Sequence, residues 1–512
     1  MNSEAKRLYV LLALIPFSYL LVACGDGGGS APPPPPPPVG KFSNASLAGQ
    51  FAFSMTGSEL CAGVGSLFTR VGSFTADGNG NITTGLEDVN VCAGTATLEF
   101  TGGRYAINGD GRGTLQLTNS TGVTNYSIAL SSSAEGLIVQ TDVAATASGS
   151  FQRQNPATFS NAAIAGGYVF DFSGVDVNGS TVDPASFVGR FDADGAGGVR
   201  NGLFDSNIGG ALSGQQLFPG GEFYQLDANG DGTRFGRGTA NIAGGSFAFY
   251  VVDATRLKFN GTDFPSALAG DAFAQQNMAF TTASLSGNVA FLIGGSSSGG
   301  PISTAGRFTA DGAGNLFTIV LDENNSGSIT VLPNGTVTGT YTVDANQFGG
   351  GTLIWTDTKS GTFSFVFYQI SPSQAVFQEI DSKIVNDGTF SAQTTTPISS
   401  AALAGDYVFG WNGVGSAEED YVGQVTLNSS GSLTGMTDFN EFATGRQFYN
   451  VPLNGNLSLG GDGTQANDFT TNLQTNPPAT FHFTTYVVNQ NMLILVGVDK
   501  NRVIAGPLVR QP

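Results

Sequence analysis

A chain of 512 residues with 40% hydrophobic and 11% aromatic side chains holds enough material for several packed cores, so despite 74 glycines it is not a disordered polymer. Charged residues make up only 12%, and 20 Lys and Arg stand against 39 Asp and Glu, so nucleic-acid phosphates and anionic lipid surfaces are poor electrostatic partners. Cations, glycans and neutral ligands stay open, and the length suggests roughly three or four domains.

At the N-terminus Lys6 and Arg7 precede an apolar run from Leu8 to Val22, and Leu21-Val22-Ala23-Cys24 sets a small residue directly before a cysteine. The run falls short of the ~20 residues that a bilayer-spanning helix needs. The segment resembles a bacterial lipoprotein signal peptide with its lipobox. That resemblance implies removal of residues 1–23 and acylation of Cys24, a lipid anchor on a membrane. Gly25 after the cysteine goes, in such proteins, with transfer to the outer membrane. Residues 24–42 are then a tether, in which the seven prolines of GDGGGSAPPPPPPPVG form a stiff polyproline II rod of roughly 20 Å.

The rest of the chain repeats. SNASLAGQFAFSMTG at Ser43 returns as SNAAIAGGYVFDFSG at Ser160, TTASLSGNVAFLIGG at Thr281 and SSAALAGDYVFGWNG at Ser399. Aligned on Leu47, Ile164, Leu285 and Leu403, the spacings are 117, 121 and 118 residues, too long for a solenoid repeat or a propeller blade. Each copy is therefore a domain: 43–159, 160–280, 281–398 and 399–512. Apolar residues alternate in the opening segments, as in Phe51, Phe53 and Met55 or Tyr407, Phe409 and Trp411, which predicts a strand with one buried face. In copy one further strands follow near 71–75, 82–87, 97–107, 113–117, 126–130, 137–141 and 147–152, separated by Gly, Asn, Asp and Ser clusters. About eight strands and no convincing helix per copy predict an all-β protein of four antiparallel meander barrels, lipocalin-like or avidin-like in size, with a β-sandwich as the alternative.

A second signature is FTADGNGNITTGLEDVN at Phe74, FDADGAGGVRNGLFDSN at Phe191 and FTADGAGNLFTIVLDENN at Phe308, weakened to VTLNSSGSLTGMTDFNE at Val425. Its G-x-F-x-A-D-G-x-G core resembles repeats of uncharacterised secreted or lipid-anchored bacterial proteins, a likeness that brings no activity with it. Asp77-Gly78, Asp194-Gly195 and Asp311-Gly312 read as hairpin turns. A metal loop is disfavoured, because Asp88, Asp205 and Asp322 lie 11 positions further on, roughly 20 Å along a strand. Copy four also replaces Asp-Gly by Asn428-Ser429. The best calcium candidate is in copy two, where Asp227, Asn229 and Asp231 match the start of an EF-hand loop, but Gly238 stands where its final Glu belongs, so the expectation is a weak site at most and no other cofactor.

In a meander the ends of strands one, three, five and seven share one end of the barrel. Cys61 and Cys92 fall there and are expected to form a disulfide. Acids gather there too. Asp88 and Asn90, Asp205 and Asn207, Asp322 and Asn324, and Asp438 and Asn440 close strand three, while Asp142, Asp263, Asp381 and Asp499 close strand seven. These residues are the candidate ligand-binding end, with strand termination by Asp and Asn as the competing structural reading. The single histidine, His482, excludes a histidine-dependent catalytic site in every copy and any multi-histidine metal site. The expectation is a non-enzymatic surface lipoprotein making adhesive, glycan-binding or structural contacts with a surface glycan or a protein, and with no nucleic acid. Its rivals are an apolar ligand inside each barrel and, more distantly, a carboxylate-dependent polysaccharide hydrolase.

Overall fold

The computed structural model describes residues 40–512 apart from 345–347, 358–360, 394–397, 443, 460–467 and 476–478. Cys24 and the expected signal peptide lie outside the described residues. The chain folds into four antiparallel barrels, with strands spanning Gly49–Arg153, Ala165–Ala274, Ser286–Ala392 and Gly405–Arg510. Each is an eight-stranded meander. The fourth strand is bent, and in barrels 1 to 3 it is broken into two pieces. In barrel 1, where one strand over 97–107 is expected, the pieces are Gly94–Phe100 and Gly102–Ile107. In barrel 2 they are Ala211–Leu217 and Phe223–Leu226, and that barrel closes through the single bridge between Gly198 and Phe223.

The repeat signature follows from packing. Strand one pairs with strand two in matching register in all copies, with Phe51 opposite Phe74, Tyr168 opposite Phe191, Val289 opposite Phe308 and Tyr407 opposite Val425. The glycine two positions earlier on strand two lies under the ring of Phe53, Phe170, Phe291 or Phe409; a Cβ on Gly72, Gly189, Gly306 or Gly423 would come 2.4–2.8 Å from ring carbons. A second glycine, on strand eight, lets that strand approach strand one. A Cβ on Gly149, Gly270, Gly388 or Gly506 would sit 1.8–2.2 Å from a strand-one carbonyl oxygen. Both glycines are therefore required by close approach rather than by flexibility.

The Asp-Gly segment is a turn in every copy. Asp77 Oδ1 accepts from the backbone N–H groups of Asn79 (2.7 Å) and Asn81 (3.0 Å), and Asp194 and Asp311 repeat the pattern. Asn428 Oδ1 does the same with Ser430 (3.0 Å) and Ser432 (2.9 Å), so the amide oxygen of copy four replaces the carboxylate without loss of geometry. Bonds from Asn81 bring the Asp77 carboxyl down to about 2. Where no helix is expected, a short one spans Asp231–Phe235, bracketed by Gly230 and Gly236 in left-handed conformations (φ 101° and 69°).

The four barrels close into a ring. Outward-facing apolar residues join each barrel to the next: Ala52, Val71 and Leu86 pack on Tyr250 and Val252; Val169 and Val188 on Tyr368 and Val376; Ala290 and Ala305 on Tyr486 and Ile494. Val408 and Val422 of barrel 4 then pack on Ala129 and Val139 of barrel 1. At this last seam Lys41 pairs with Asp406 (3.1 Å) and donates to the carbonyl of Pro512 (2.6 Å).

Candidate functional site

The strand-three asparagines and the strand-seven turns belong together, but across barrels rather than within one. The Asn90 amide donates to the carbonyls of Gly261 (3.0 Å) and Ser266 (2.8 Å), flanking Asp263 in barrel 2. Asn207 reaches Asp381 (3.2 Å) and Ile384 (2.7 Å) in barrel 3, and Asn324 reaches Gly497, Asp499 and Arg502 (2.8–3.0 Å) in barrel 4. Asn440 closes the circle on Gln140, Asp142 and Ala145 of barrel 1 (2.9–3.1 Å). None of the four asparagines is more than 2% exposed. The expectation of an open ligand-binding end is therefore corrected: in a ring, the end of strand three abuts the neighbouring barrel, and its polar residues cap that neighbour's turn.

The aspartates of the same motif face the next barrel as well. Asp88 accepts from Tyr250 Oη (2.8 Å) and from Arg237 Nε (2.8 Å) and Nη2 (2.7 Å). Asp205 accepts from Tyr368 Oη (2.7 Å), and Asp322 from Tyr486 Oη. Burial pushes the Asp205 carboxyl up to about 6, opposed by the tyrosine hydrogen bond. In barrel 1 the residue matching these tyrosines on the strand ladder is Ala129, and Asp438 instead accepts from the Asn450 N–H (2.6 Å) and lies 4.0 Å from Arg112. The strand-seven aspartates bond within their own barrels: Asp142 to Asn125 and Gln140, Asp263 to the N–H of Ser246, Asp381 to that of Lys383, and Asp499 to His482 (Nδ1 to Oδ1, 2.6 Å).

One glutamine per copy completes each seam. Gln154 Nε2 donates to the carbonyls of Phe235 (2.9 Å) and Val251 (2.7 Å), Gln275 to those of Phe348 and Gln369, Gln393 to that of Val487, and Gln511 to those of Asp110 (2.9 Å) and Leu130 (2.8 Å). Sequence reasoning missed these residues, although a Gln just past strand eight is visible in FQRQNP, FAQQNM, FSAQTT and LVRQP.

Cys61 and Cys92 form a disulfide between the ends of strands one and three, with a Cα separation of 5.9 Å. In the calcium candidate, Asp227 is ion-paired with Arg237, and Asn229 bonds Asp231 (2.8 Å). Among the described residues no group of three His, Cys, Asp or Glu side chains is placed to hold a metal. The barrel interiors are filled by aromatic rings in contact, such as Phe51 on Phe74 (5.6 Å) and Trp355 on Phe365 (4.5 Å). At the hub of the ring a cavity of about 810 Å³ is lined by strands one, two and eight of all four barrels, with Ser54, Ser150, Asp387, Asn412 and Glu418 among its polar side chains.

No protein-family model matches the chain, and no curated protein sequence does. Among solved structures it is similar to a de novo designed fluorescence-activating β-barrel, at 16% identity and a TM-score of 0.18 over 22% of this chain and 99% of that one. It is also similar to transferrin binding protein B of Haemophilus parasuis (11% identity, TM-score 0.20, 74% of this chain and 84% of that one). The same protein of Neisseria meningitidis serogroup B gives 10% identity and a TM-score of 0.21 over 75% and 83% of the two chains. Scores this low support no inference from those proteins to this chain.

Proposed function

We propose that the chain is a lipid-anchored protein of a bacterial outer membrane whose ring of barrels is a non-enzymatic platform for adhesive, glycan-binding or structural contacts. The observation that carries this reading is the consumption of the conserved-looking polar motif in barrel-to-barrel bonds. Residues that would line a catalytic or binding mouth in a lone barrel here hold four barrels at fixed positions. Because every seam uses the same strands, equivalent loops of the four copies share a face of the ring, and weak contacts made by each gain avidity from simultaneous engagement. Filled interiors favour this reading over an apolar ligand inside each barrel. The lipobox resemblance supplies the anchor at Cys24.

The test has two arms on the full-length chain. Wild type is expected in the outer-membrane fraction and Cys24→Ser is expected to lose the lipid and the fractionation. Detergent-solubilised protein is then probed on arrays of surface glycans and against polysaccharide substrates. Binding without turnover supports the platform; turnover of any polysaccharide sinks it.

A further inference from the structure

The seams differ in how they neutralise charge. At the seam between barrels 1 and 2, Lys258 is fully buried, pairs with Asp271 (3.5 Å) and donates to Ser54 (2.9 Å) and Ser150 (3.2 Å) of barrel 1. At the seam between barrels 3 and 4, Ala290, Ala305, Val320, Tyr486, Val488, Ile494 and Val496 form one apolar cluster beside the bond from Tyr486 to Asp322. The two remaining seams, opposite one another across the hub, carry carboxyls close to the hub itself: Asp420 is buried, while Asp171, Asp387 and Glu418 are half-buried.

At the seam between barrels 2 and 3, Asp171 on strand one shares a hydrogen bond with Asp387 on strand eight of the next barrel. Ser186 also bonds Asp387; the other charged groups of that seam are Asp271, held by Arg256 and Lys258, Asp205, bonded to Tyr368, and Arg190, paired with Asp192 and lying over the Phe348 ring. At the seam between barrels 4 and 1, Asp420 is fully buried and accepts from Thr146 Oγ1 of barrel 1 (2.8 Å), with Ser148 as a second donor. Glu418, two residues earlier, faces Ser58 and lines the hub. The other charged groups there are engaged elsewhere. Glu419 lies with Tyr421 (2.8 Å) and Arg502 (3.7 Å), Glu441 with Arg446 (2.7 Å), Arg112 with Asp110 (2.8 Å), Lys41 with Asp406, and Glu59 accepts from the Cys92 N–H (2.6 Å).

We propose that the ring is a proton-controlled clasp: it opens at the seam between barrels 4 and 1, hinging at the seam between barrels 2 and 3, when the carboxyls enclosed in those seams beside the hub lose their protons. Two geometric facts place the opening. The seam between barrels 4 and 1 is the one across which no interdomain connector runs, and it has Ala129 where the other three seams have a tyrosine bonded to an aspartate. These two seams divide the ring into halves, barrels 1 and 2 held by charge pairing and barrels 3 and 4 by apolar packing beside the Tyr486 to Asp322 bond.

The direction follows from burial. Burial pushes the Asp420 carboxyl up to about 7, and burial together with Asp420 raises Glu418. Burial and Asp387 likewise raise Asp171. A carboxyl raised in the closed ring is neutral there and titrates near its ordinary value once the seam is open. Closure is thus favoured at low pH and weakens as pH climbs from the ordinary carboxylate range to the raised values. For Asp420 alone the closed-to-open ratio falls by up to about five hundredfold between pH 4 and pH 8.

The experiment is a pair of spin labels on the full-length chain in detergent, at Ser133→Cys in barrel 1 and Ser429→Cys in barrel 4, in a Cys24→Ser background so that the disulfide-bonded cysteines are the only others. Both positions are exposed turn residues. A single short distance at pH 5 and a second, longer distance growing in with a midpoint near pH 7 are expected. Glu418→Gln with Asp420→Asn is expected to hold the short distance through pH 8.5. One unchanging distance across the range overturns the proposal, as does opening with the same midpoint in the double variant. A control pair at Ser133→Cys and Asn229→Cys, across the charge-paired seam, is expected not to respond; broadening of both pairs together means general unfolding and also overturns it.

Discussion

At the seam between barrels 1 and 2 and at the seam between barrels 4 and 1 the same strands meet, and the same asparagine and glutamine amides cap the neighbour's carbonyls. What differs is the side chains between those amides. Asp88 at the first seam faces a tyrosine hydroxyl and two nitrogens of Arg237, whereas Asp438 at the second faces Arg112 from 4.0 Å with Ala129 in the tyrosine's place. Amides capping carbonyls fix the register of a seam without depending on pH. Ionisable pairs set how firmly each seam holds, and copies of one domain have diverged there while the amides have stayed.

The largest effect separating the two seams is expected from Asp88→Ala. It leaves the buried Tyr250 hydroxyl without its acceptor and the half-buried Arg237 with Asp227 alone, and removal of one member of such a pair costs about 3 kcal/mol. Asp438→Ala, where the charge partner is already at 4.0 Å, is expected to cost about 1 kcal/mol. Urea titrations of the two variants check this; equal losses would mean the seams are equivalent in strength. Next comes the disulfide that ties strand three to strand one beside Asn90. Cys61 and Cys92 are 31 residues apart, and Cys61→Ser with Cys92→Ser is expected to cost about 3 to 4 kcal/mol, read in the same titration.

A third comparison uses pH. Asp205 sits against Tyr368 with no cation, and its carboxyl is raised to about 6. Its contribution is least unfavourable below the ordinary carboxylate range and worsens as pH rises through 6, the reverse of a salt-bridged aspartate. Asp205→Asn keeps an acceptor for the tyrosine and removes the charge. It is expected to stabilise the protein by about 1 to 2 kcal/mol at pH 7.5 and to leave it nearly unchanged at pH 4. A stabilisation that does not depend on pH would show that the charge is not the cause.

Much of a single barrel was legible in the sequence, because alternating residues such as Phe51, Phe53 and Met55 report a buried face directly and Asp77-Gly78 reports a turn. The bend in strand four was not, since Thr101 and Gly102 sit inside an otherwise uninterrupted β pattern. The ring was harder still. Asn90 ends a strand whether it bonds its own backbone or a carbonyl 171 residues away, and the two readings look alike in one copy. Placing the ends of strands three and seven at one end of a barrel stopped one barrel short: Asp88 and Asp142 belong to different seams, while Asn440 and Asp142 share one. The recurring Gln154, Gln275, Gln393 and Gln511 offered the missing signal, a polar residue repeated at the edge of every copy whose amide donates into the neighbouring barrel.

Those glutamines give the smallest effect and the finest distinction. Gln154→Ala and Gln511→Ala each strip hydrogen bonds from two backbone carbonyls of the next barrel, and each is expected to lower overall stability by about 1 kcal/mol. Their local consequences should diverge. Behind Gln154 the chain runs straight on into barrel 2, so the seam is held by its connector and by Arg237 even when the amide is gone. Behind Gln511 no connector leads into barrel 1, and the seam it closes relies on Lys41, on Asn440 and on carboxyls that must stay protonated. Hydrogen exchange is therefore expected to speed up around Asp110 to Leu130 in Gln511→Ala, more at pH 8 than at pH 6 after correction for the intrinsic rate. Around Phe235 to Val251 in Gln154→Ala it is expected to change little at either pH. Equal exchange at the two seams would place the strength of the ring in its amides, and the divergence of the charged residues would then have no consequence for closure.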